Sequence, residues 1–315
     1  MLTLLKLLKD GRFHSGQALG AALGVSRSAV WKQLQNLEED LDLSIHKVRG
    51  RGYQLSSPLE LLDPELLKDC AWPSYIHHSL DSTNAEALRM VGRGVAAPFV
   101  VLAERQTAGR GRRGRRWVSP FAENIYYSLV LPVIGGMRQL EGLSLVVGLA
   151  VLSALRDTGV SGGGLKWPND VLVGNKKIAG ILLELVGDPA DVCNVVLGIG
   201  INVNMKSSSA VDQAWTSTYL EVGRVMDRND LIKALGKSLQ SYLKLHEVSG
   251  FSAVKAEWER HHLWQDREVS LIAGAHEVVG RVLGVDQQGA LRMNVNGVEK
   301  VFSGGELSLR LRHDS

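Results

Sequence analysis

A glycine- and arginine-rich segment constrains the fold of this chain more than any other feature. It runs Gly109-Arg110-Gly111-Arg112-Arg113-Gly114, follows an apolar run at residues 100–103 and matches the GxGxxG spacing of dinucleotide-binding loops. Those loops need a helix that starts at the third glycine, because its N-terminal amides bind the pyrophosphate. Here Trp117 and Val118 favour a strand, and Pro120 disfavours an immediate helix. The sequence therefore excludes a dinucleotide-binding fold at this loop.

The same segment concentrates positive charge. Five arginines lie within seven residues, at positions 110, 112, 113, 115 and 116. Guanidinium groups bind phosphate and carboxylate oxygens in forked pairs, so we expect this loop to order around an anion. Taken alone, the loop leaves two alternatives open, a solvated linker and a nucleic-acid-binding arm.

A lysine in an apolar strand pattern indicates a second cation. Lys166 lies in the tract Leu165-Lys166-Trp167-Pro168-Asn169-Asp170, where Pro168 keeps the preceding residue extended. Burying a lysine costs solvation free energy unless a negative group meets it, so Lys166 is a candidate partner for a substrate carboxylate or phosphate. A structural ion pair and an edge lysine that reaches solvent are the alternatives.

The strands around this lysine are predicted from turn signals. Residues 171–173 and 176–185 flank Gly174-Asn175, a favoured two-residue turn, and are predicted to form a hairpin. Residues 195–203 form a further strand, in which Gly198 and Gly200 permit close approach.

A helix is predicted from about Asp81 to Gly92. Thr83 and Glu86 have the spacing of a capping box, which alone would explain these residues. A helix start lined by Ser82, Thr83 and Asn84 is also suited to a small polar ligand.

The N-terminal segment carries the net charge of the chain. Residues 1–57 hold eight Lys and Arg against five Asp and Glu, and so account for the whole +3. Two short helices precede a third, which runs from an N-cap at Ser26 to about Glu39, with residues 30, 34 and 37 facing inward. This is the helix-turn-helix pattern.

A basic hairpin follows, formed by residues 45–49 and 53–55 around Gly50-Arg51-Gly52. Three helices and such a hairpin describe a winged helix, in which the wing contacts phosphates. The alternative is a small helical domain that mediates protein contacts. The predicted DNA-binding residues are Ser26, Arg27, Ser28, Lys32, Gln33, Arg49 and Arg51.

After Arg267 the pattern changes to short apolar runs separated by turns, among them Asn296-Gly297, a strong hairpin signal. We therefore expect an α+β multidomain chain. Its domains are a winged helix-turn-helix at 1–60, a central α/β catalytic domain with a mixed sheet at 61–266, and a small β-barrel at 267–315.

The cysteines indicate a reducing compartment. Cys70 and Cys193 lie far apart, without the spacing of a zinc site or a disulfide framework. No secretory signal or stretch of membrane-spanning length is apparent, so a cytoplasmic protein without a membrane partner is expected.

Taken together, five tracts resemble the biotin protein ligases, and the resemblance covers nearly the whole chain. The N-terminal domain makes the bifunctional type, which also represses biotin-synthesis genes, the closer likeness. The tracts are Ser82-Thr83-Asn84, Gly109-Arg110-Gly111-Arg112-Arg113-Gly114, Lys166-Trp167-Pro168-Asn169-Asp170, Lys177-Ile178-Ala179-Gly180-Ile181-Leu182 and Gly200-Ile201-Asn202-Val203-Asn204.

The resemblance implies a two-step reaction that uses ATP and Mg²⁺. Biotin is activated as biotinyl-5′-AMP and then transferred to a lysine of the biotin carboxyl carrier protein of acetyl-CoA carboxylase. It further implies a homodimer that forms when biotinyl-AMP is bound and then binds operator DNA.

The resemblance also assigns roles by position. Ser82, Thr83, Asn84 and Gln106 would hold biotin, and Arg110, Gly111 and Arg112 would form a loop that closes over biotin and the adenylate. Lys166 would contact biotin and the reacting phosphate, so that the catalytic residues would be Lys166, Arg110 and Arg112. The implied nucleotide-binding residues are Arg112, Asn202, Trp215, which aligns only after a two-residue gap, and Arg310. No Mg²⁺ ligand is implied.

One position departs from the pattern, because the charged Arg105 precedes Gln106 where the bifunctional type has an uncharged residue. Three other functions remain as alternatives. They are a biotin ligase without DNA binding, a lipoate-type adenylating ligase, and a regulator that binds a nucleotide only as effector.

Overall fold

The computed structural model describes residues 2–56, 59–133, 136–187, 193–274, 276–304 and 307–312. The chain folds as two compact units, Met1–Leu62 with Pro120–Ala122, and Asp63–Ser119 with Glu123–Ser315. The boundary expected between residues 266 and 267 stays a prediction.

The first unit is the predicted winged helix. Its elements are α1 (Leu2–Leu8), α2 (Gly16–Leu23), α3 (Arg27–Leu41), β1 (Ile45–Val48) and β2 (Gly52–Leu55).

Local capping explains where these helices begin and end. Ser15 and Ser26 cap α2 and α3, each accepting a backbone N–H, while Gly24 ends α2 in the left-handed conformation at φ 67°. The two strands pair antiparallel, with Ile45 opposite Leu55. Inward-facing side chains of all five elements form the core, including Leu4, Leu5, Leu8, Leu19, Val30, Leu34, Leu37, Ile45 and Leu55.

A mixed seven-stranded sheet organises the second unit, as expected. Its spatial order is β3-β4-β5-β9-β8-β7-β6, in which only β3 and β4 run parallel. The strands are β3 (Ser74–His77), β4 (Phe99–Ala103), β5 (Ile125–Pro132), β6 (Gly163–Lys166), β7 (Asp170–Val173), β8 (Lys176–Gly187) and β9 (Cys193–Ile201). The predicted hairpin at Gly174-Asn175 is confirmed as the β7–β8 connection.

The helices of this unit are α4 (Pro64–Leu67), α5 (Thr83–Gly92), α6 (Leu143–Asp157), α7 (Thr218–Val222), α8 (Arg228–Ser249) and α9 (Ser252–His261). Helix α6 is the core helix and packs against α8. By length and hydropathy alone, Arg138–Asp157 could cross a membrane, so the expectation that no stretch reaches that length is wrong. The apolar composition of this segment reflects its burial in the core, because 61% of its most apolar 18-residue window is buried within the fold.

The C-terminal strands form a five-stranded antiparallel sheet in the order β13-β12-β11-β10-β14. The strands are β10 (Glu268–Ala273), β11 (His276–Val285), β12 (Leu291–Val295), β13 (Val298–Phe302) and β14 (Leu307–Leu311). Asn296 and Gly297 both adopt positive φ, at 53° and 83°, and connect β12 to β13 as predicted.

Candidate active site

One cavity of about 270 Å³ in the second unit is lined by the predicted biotin-binding residues. It lies where the start of α5, the arginine-rich loop, the β6–β7 turn and the middle of β8 and β9 meet. All eight residues assigned to biotin line it, namely Ser82, Thr83, Asn84, Gln106, Arg110, Gly111, Arg112 and Lys166.

The predicted capping box at the start of α5 is wrong. The N-cap is Ser82, whose side chain makes no capping hydrogen bond. The backbone N–H and the hydroxyl of Thr83 both donate to Gln106 Oε1, at 2.9 and 3.1 Å. Glu86 binds Arg89 Nε at 2.7 Å instead of the helix start. These partners lie outside the helix start, so the spacing alone misidentified the role of Thr83 and Glu86.

A buried hydrogen-bond chain extends from this helix start across the sheet. The Ser128 hydroxyl lies 2.8 Å from Thr83 Oγ1 and 2.6 Å from Asn84 Oδ1. Asn84 Nδ2 donates to Glu184 Oε2 at 2.7 Å. At the other end, Gln106 Nε2 donates to Ser119 Oγ at 3.0 Å. These hydrogen bonds hold the side chains of Thr83, Asn84 and Gln106 in set orientations.

The sequence analysis did not identify two residues of this hydrogen-bond chain. Ser128 lies in the apolar strand β5 and Glu184 lies in the largely apolar strand β8. A polar residue inside an apolar strand is the same signal that singled out Lys166, and it could have identified both.

The arginine-rich loop forms no α-helix, which confirms the exclusion of a dinucleotide-binding loop. Arg112–Gly114 makes a single 3-10 turn with Arg113 at φ 59°, and the backbone is extended again at Arg115. Gly111 N–H donates to the carbonyl of Arg115 at 2.7 Å, which closes the loop on itself.

Two arginines of the loop are tied to the cavity walls. Arg112 Nη1 donates to Asn169 Oδ1 at 2.9 Å, and Nη2 donates to the carbonyl of Leu307 at 3.4 Å. Burial lowers the pKa of the Arg112 guanidinium, and the nearby Asp170 opposes that shift. Arg110 Nη2 lies 3.3 Å from Glu184 Oε2.

Lys166 has the negative partner that its burial requires. Its Nζ lies 3.6 Å from Asp170 Oδ2 and 4.9 Å from the centre of the Trp264 ring. Burial lowers the pKa of Lys166, whereas the Asp170 carboxylate raises it. Asp170 also binds Lys177 Nζ at 2.6 Å. One carboxylate therefore serves two ammonium groups, which leaves a net positive charge facing the cavity.

Trp117 covers the middle of the sheet beside the two lysines. Lys177 Nζ lies 5.4 Å from the centre of its ring. A Cβ on Gly200 would come within 2.5 Å of Trp117, and one on Gly198 within 2.3 Å of the Asn84 side chain. The close approach expected at these two glycines is therefore made by side chains that line the cavity.

The three remaining predicted nucleotide ligands do not line the cavity. Asn202 is buried, and its Nδ2 donates to the carbonyls of Lys177 and Thr216, at 3.4 and 3.0 Å. Trp215 is half-buried and forms a backbone bridge with Lys177, while Arg310 is exposed on β14. Their contacts with a nucleotide stay predictions.

Within the described ranges, no group of three or more His, Cys, Asp or Glu side chains could hold a metal ion. Among the described charged residues that line the cavity, seven are Lys or Arg and two, Asp170 and Asp212, are carboxylates.

The predicted DNA-binding residues lie on one element and one hairpin of the first unit. Ser26, Arg27, Ser28 and Lys32 are exposed at the start and along the first two turns of α3, and Gln33 is half-buried. Arg49 and Arg51 are exposed in the turn between β1 and β2. The Arg51 guanidinium lies 4.2 Å from the centre of the Phe13 ring, a cation–π distance.

Comparisons with known proteins agree with both units. The model of the biotin/lipoate A/B protein ligase family matches residues 78–202, and that of an HTH domain matches residues 1–54. The bifunctional ligase/repressor BirA of Salmonella typhimurium is 40% identical over 98% of this chain and 97% of its own length.

Two further relatives match about three quarters of the chain. The biotin–[acetyl-CoA-carboxylase] ligase of Paracoccus denitrificans is 35% identical over 72% of this chain and 96% of its own length. The biotin protein ligase of Aquifex aeolicus, solved in complex with biotin and ATP, is 30% identical with a TM-score of 0.67. That match covers 76% of this chain and 99% of the solved chain.

Proposed function

This chain belongs to the biotin protein ligase family, and on that premise we propose how its two units work. It is an ATP-dependent biotin–protein ligase that also carries the DNA-binding domain of a repressor. Ligation takes place in the cavity of the second unit, and repression acts through α3 and the basic hairpin of the first.

The reaction has two steps. A biotin carboxylate oxygen attacks the α-phosphorus of Mg-ATP, forms biotinyl-5′-AMP and displaces pyrophosphate. The amine of an acceptor lysine then attacks the acyl carbon, so that an amide forms, AMP leaves with the bridging oxygen and the amine loses a proton. Negative charge accumulates on the α-phosphate in the first step, and fixed cations are the expected means of stabilising it.

The polar side chains beside the start of α5 bind biotin, and the cations act on the reacting groups. Ser82, Thr83, Asn84 and Gln106 orient biotin. Hydrogen bonds to the protein hold Thr83, Asn84 and Gln106 in set directions. Lys166, Arg110 and Arg112 are the catalytic residues, which stabilise the reacting phosphate and carboxylate. Gly111 gives the loop that carries the two arginines room to close. What supports this division is their convergence on one cavity, which is also lined by four further cations, Arg113, Arg115, Arg116 and Lys177.

The nucleotide is held by Arg112, Asn202, Trp215 and Arg310. Asn202 and Trp215 both contact the backbone of Lys177, which lines the cavity, and Arg310 follows Leu309, which also lines it. Mg²⁺ enters as part of the substrate Mg-ATP. It prefers phosphate oxygens and water over dedicated protein ligands, which fits a cavity whose described lining offers only two carboxylates, Asp170 and Asp212.

The repressor activity requires two copies of the chain. A single recognition helix reads few base pairs, and dimers bind two half-sites about one helical turn apart. We propose that biotinyl-AMP favours a homodimer, which binds operator DNA through Ser26, Arg27, Ser28, Lys32, Gln33, Arg49 and Arg51.

The acceptor is the biotin carboxyl carrier protein of acetyl-CoA carboxylase, and the reaction takes place in the cytoplasm. The name of the Paracoccus relative supports the acceptor. The two free cysteines, Cys70 and Cys193, support a reducing compartment.

One observation carries the ligase proposal. Eight residues spread from position 82 to 166, chosen from the sequence, line a single cavity. The test is to incubate the protein with biotin, Mg-ATP and a carrier-protein fragment and to measure the mass of the fragment. We expect one biotinyl group per fragment, and its absence would overturn the proposal.

Variants sharpen this test. Replacing Lys166 and Arg112 together by Gln should abolish biotin-dependent ATP cleavage, whereas Lys237→Gln, at an exposed position of α8, should leave it unchanged. Native ATP cleavage in the double variant would contradict the assignment of these cations. Lipoate in place of biotin tests the lipoate-type alternative, and a gel shift with and without biotin and Mg-ATP tests DNA binding.

A further inference from the structure

An exposed tryptophan lies on α3, and the core of the first unit does not account for it. Trp31 leaves 48% of its surface exposed, whereas Val30, Leu34 and Leu37 on the same helix are fully buried. Trp31 belongs to neither the buried core of this unit nor the half-buried side chains packed on it. An exposed large aromatic side chain is expected where a partner covers it.

The neighbours of Trp31 are the predicted DNA contacts. Residues three and four apart lie side by side on a helix, so Trp31 lies next to Ser28 and Arg27 and is followed directly by Lys32. All four are exposed within the first two turns of α3. In helix-turn-helix proteins the N-terminal residues of this helix contact base edges.

The charge of α3 fixes which half of it can enter a groove. Arg27 and Lys32 lie in its N-terminal half, whereas residues 38–40, Glu-Glu-Asp, lie near its C-terminal end. DNA phosphates attract the first half and repel the second. Trp31 belongs to the half that DNA attracts.

A protein partner explains this side chain less well. Among the described residues of the first unit, Trp31 and Val48 are the only large apolar side chains that are exposed. Protein-binding patches are contiguous apolar surfaces of several residues. A single aromatic ring among cations and hydroxyls matches a DNA groove instead.

The chemistry of the indole ring limits which groups of DNA Trp31 can contact. It offers an apolar ring and one donor, Nε1–H. The major groove offers one apolar group, the C5-methyl of thymine, while lysine and arginine contacts to phosphates carry no sequence information. Resting on the repressor function proposed above, we propose that Trp31 is a base-reading residue, which selects a thymine in each half of the operator through its C5-methyl group.

The test uses the full chain with biotin and Mg-ATP. Duplexes are first selected from a random pool with the wild-type protein, and their affinity is measured by fluorescence anisotropy. Each thymine of the selected duplex is then replaced by deoxyuridine, which removes only the methyl group. Wild type should lose roughly fivefold in affinity at one thymine per half-site, which matches the lower end of the discrimination that one good bidentate base contact provides.

Substitutions of Trp31 give the decisive comparison. Trp31→Ala should bind the selected duplex about tenfold more weakly and should no longer respond to deoxyuridine at that position. Trp31→Phe keeps an apolar ring and should keep the response. Lys32→Ala is the matched control, which should weaken selected and random duplexes alike, lower the salt slope by about 1 and leave the deoxyuridine response intact. Circular dichroism confirms that each variant is folded.

Three results would contradict either the repressor function or the base-reading role of Trp31, and each can be told apart from the others. If wild type binds selected and random duplexes equally, the repressor function itself fails. If wild type discriminates but Trp31→Ala shows the same deoxyuridine profile, the base-reading role of Trp31 is overturned. If Trp31→Ala weakens selected and random duplexes by the same factor, Trp31 contributes no sequence reading, and the inference is overturned as well.

Discussion

Asn84 and Glu184 are separated by 100 residues of sequence, yet Asn84 Nδ2 donates a hydrogen bond to Glu184 Oε2 at 2.7 Å. The carbonyl end of the same amide lies 2.6 Å from the Ser128 hydroxyl. Both ends of the Asn84 side chain are therefore held. Because Glu184 also pairs with Arg110, it connects the start of α5 to the arginine-rich loop.

Glu184 should therefore determine the affinity for biotin. Glu184→Ala leaves the Asn84 amide donor without its partner, and an unsatisfied buried donor costs about 1–3 kcal/mol. We expect a dissociation constant for biotin roughly 5- to 150-fold higher, measured by isothermal titration calorimetry. Glu184→Gln keeps an acceptor for Asn84 and should lose much less. An unchanged affinity in the alanine variant would show that Asn84 does not need this bond.

Gly198 should be irreplaceable because of the same amide. A Cβ at position 198 would lie 2.3 Å from Asn84 Oδ1, and that side chain is held at both ends. Gly198→Ala is expected to weaken biotin binding at least tenfold, on the order of 1.4 kcal/mol, in the same calorimetric assay. Gly92→Ala, at the other end of α5 in open space, is the control and should bind biotin normally. Equal affinities in the two variants would refute the argument.

Asp170 should set the alkaline limit of adenylate formation. The Asp170 carboxylate raises the pKa of Lys166, whereas burial lowers it. Asp170→Asn removes the raising effect, so Lys166 should lose its proton at a lower pH. The alkaline limb of biotin-dependent pyrophosphate exchange should then move to lower pH.

The control is Asp212→Asn, which changes an exposed carboxylate on the cavity lining. Its alkaline limb should stay where it is in wild type. An alkaline limb that does not move in Asp170→Asn would mean that the charge of Lys166 does not limit the reaction.

His262 should make the second unit sensitive to acid. Burial lowers the pKa of its imidazole to about 4, opposed by Gln265. In the unfolded chain, His262 has a pKa near 6.5 and therefore binds its proton at a higher pH than in the folded protein. The folded state keeps this contribution to stability above about pH 6.5 and loses it as the pH falls towards 4. The loss should amount to about 3 kcal/mol over that range. Urea unfolding at several pH values measures it.

Two variants isolate this contribution. His262→Phe keeps a ring that can stack on Trp258, whose centre lies 4.7 Å from that of the imidazole, and removes the titrating group. Its free energy of unfolding should fall less steeply between pH 6.5 and 4 than that of wild type. A matched change at the exposed His276 should retain the full slope. The same slope in all three proteins would contradict the prediction.

The local elements of this protein were predictable because their causes lie within a few residues of each other. Ser26 caps α3 and Gly24 ends α2 through bonds to the adjacent turn. The turns at Gly174-Asn175 and Asn296-Gly297 are determined by backbone freedom at those positions. Family motifs likewise identified eight of the residues that line the cavity.

Only the tertiary structure decided how these parts meet. The spacing of Thr83 and Glu86 satisfied a local rule, but Gln106, 23 residues away, binds Thr83 instead. The pairing of Asn84 with Glu184 follows from the order of the strands, which places β9 between β5 and β8 and lays Gly198 under the start of α5. Local backbone preferences act over a few residues, so a sequence read alone determines elements, whereas side chains from distant elements become neighbours only when the sheet has formed.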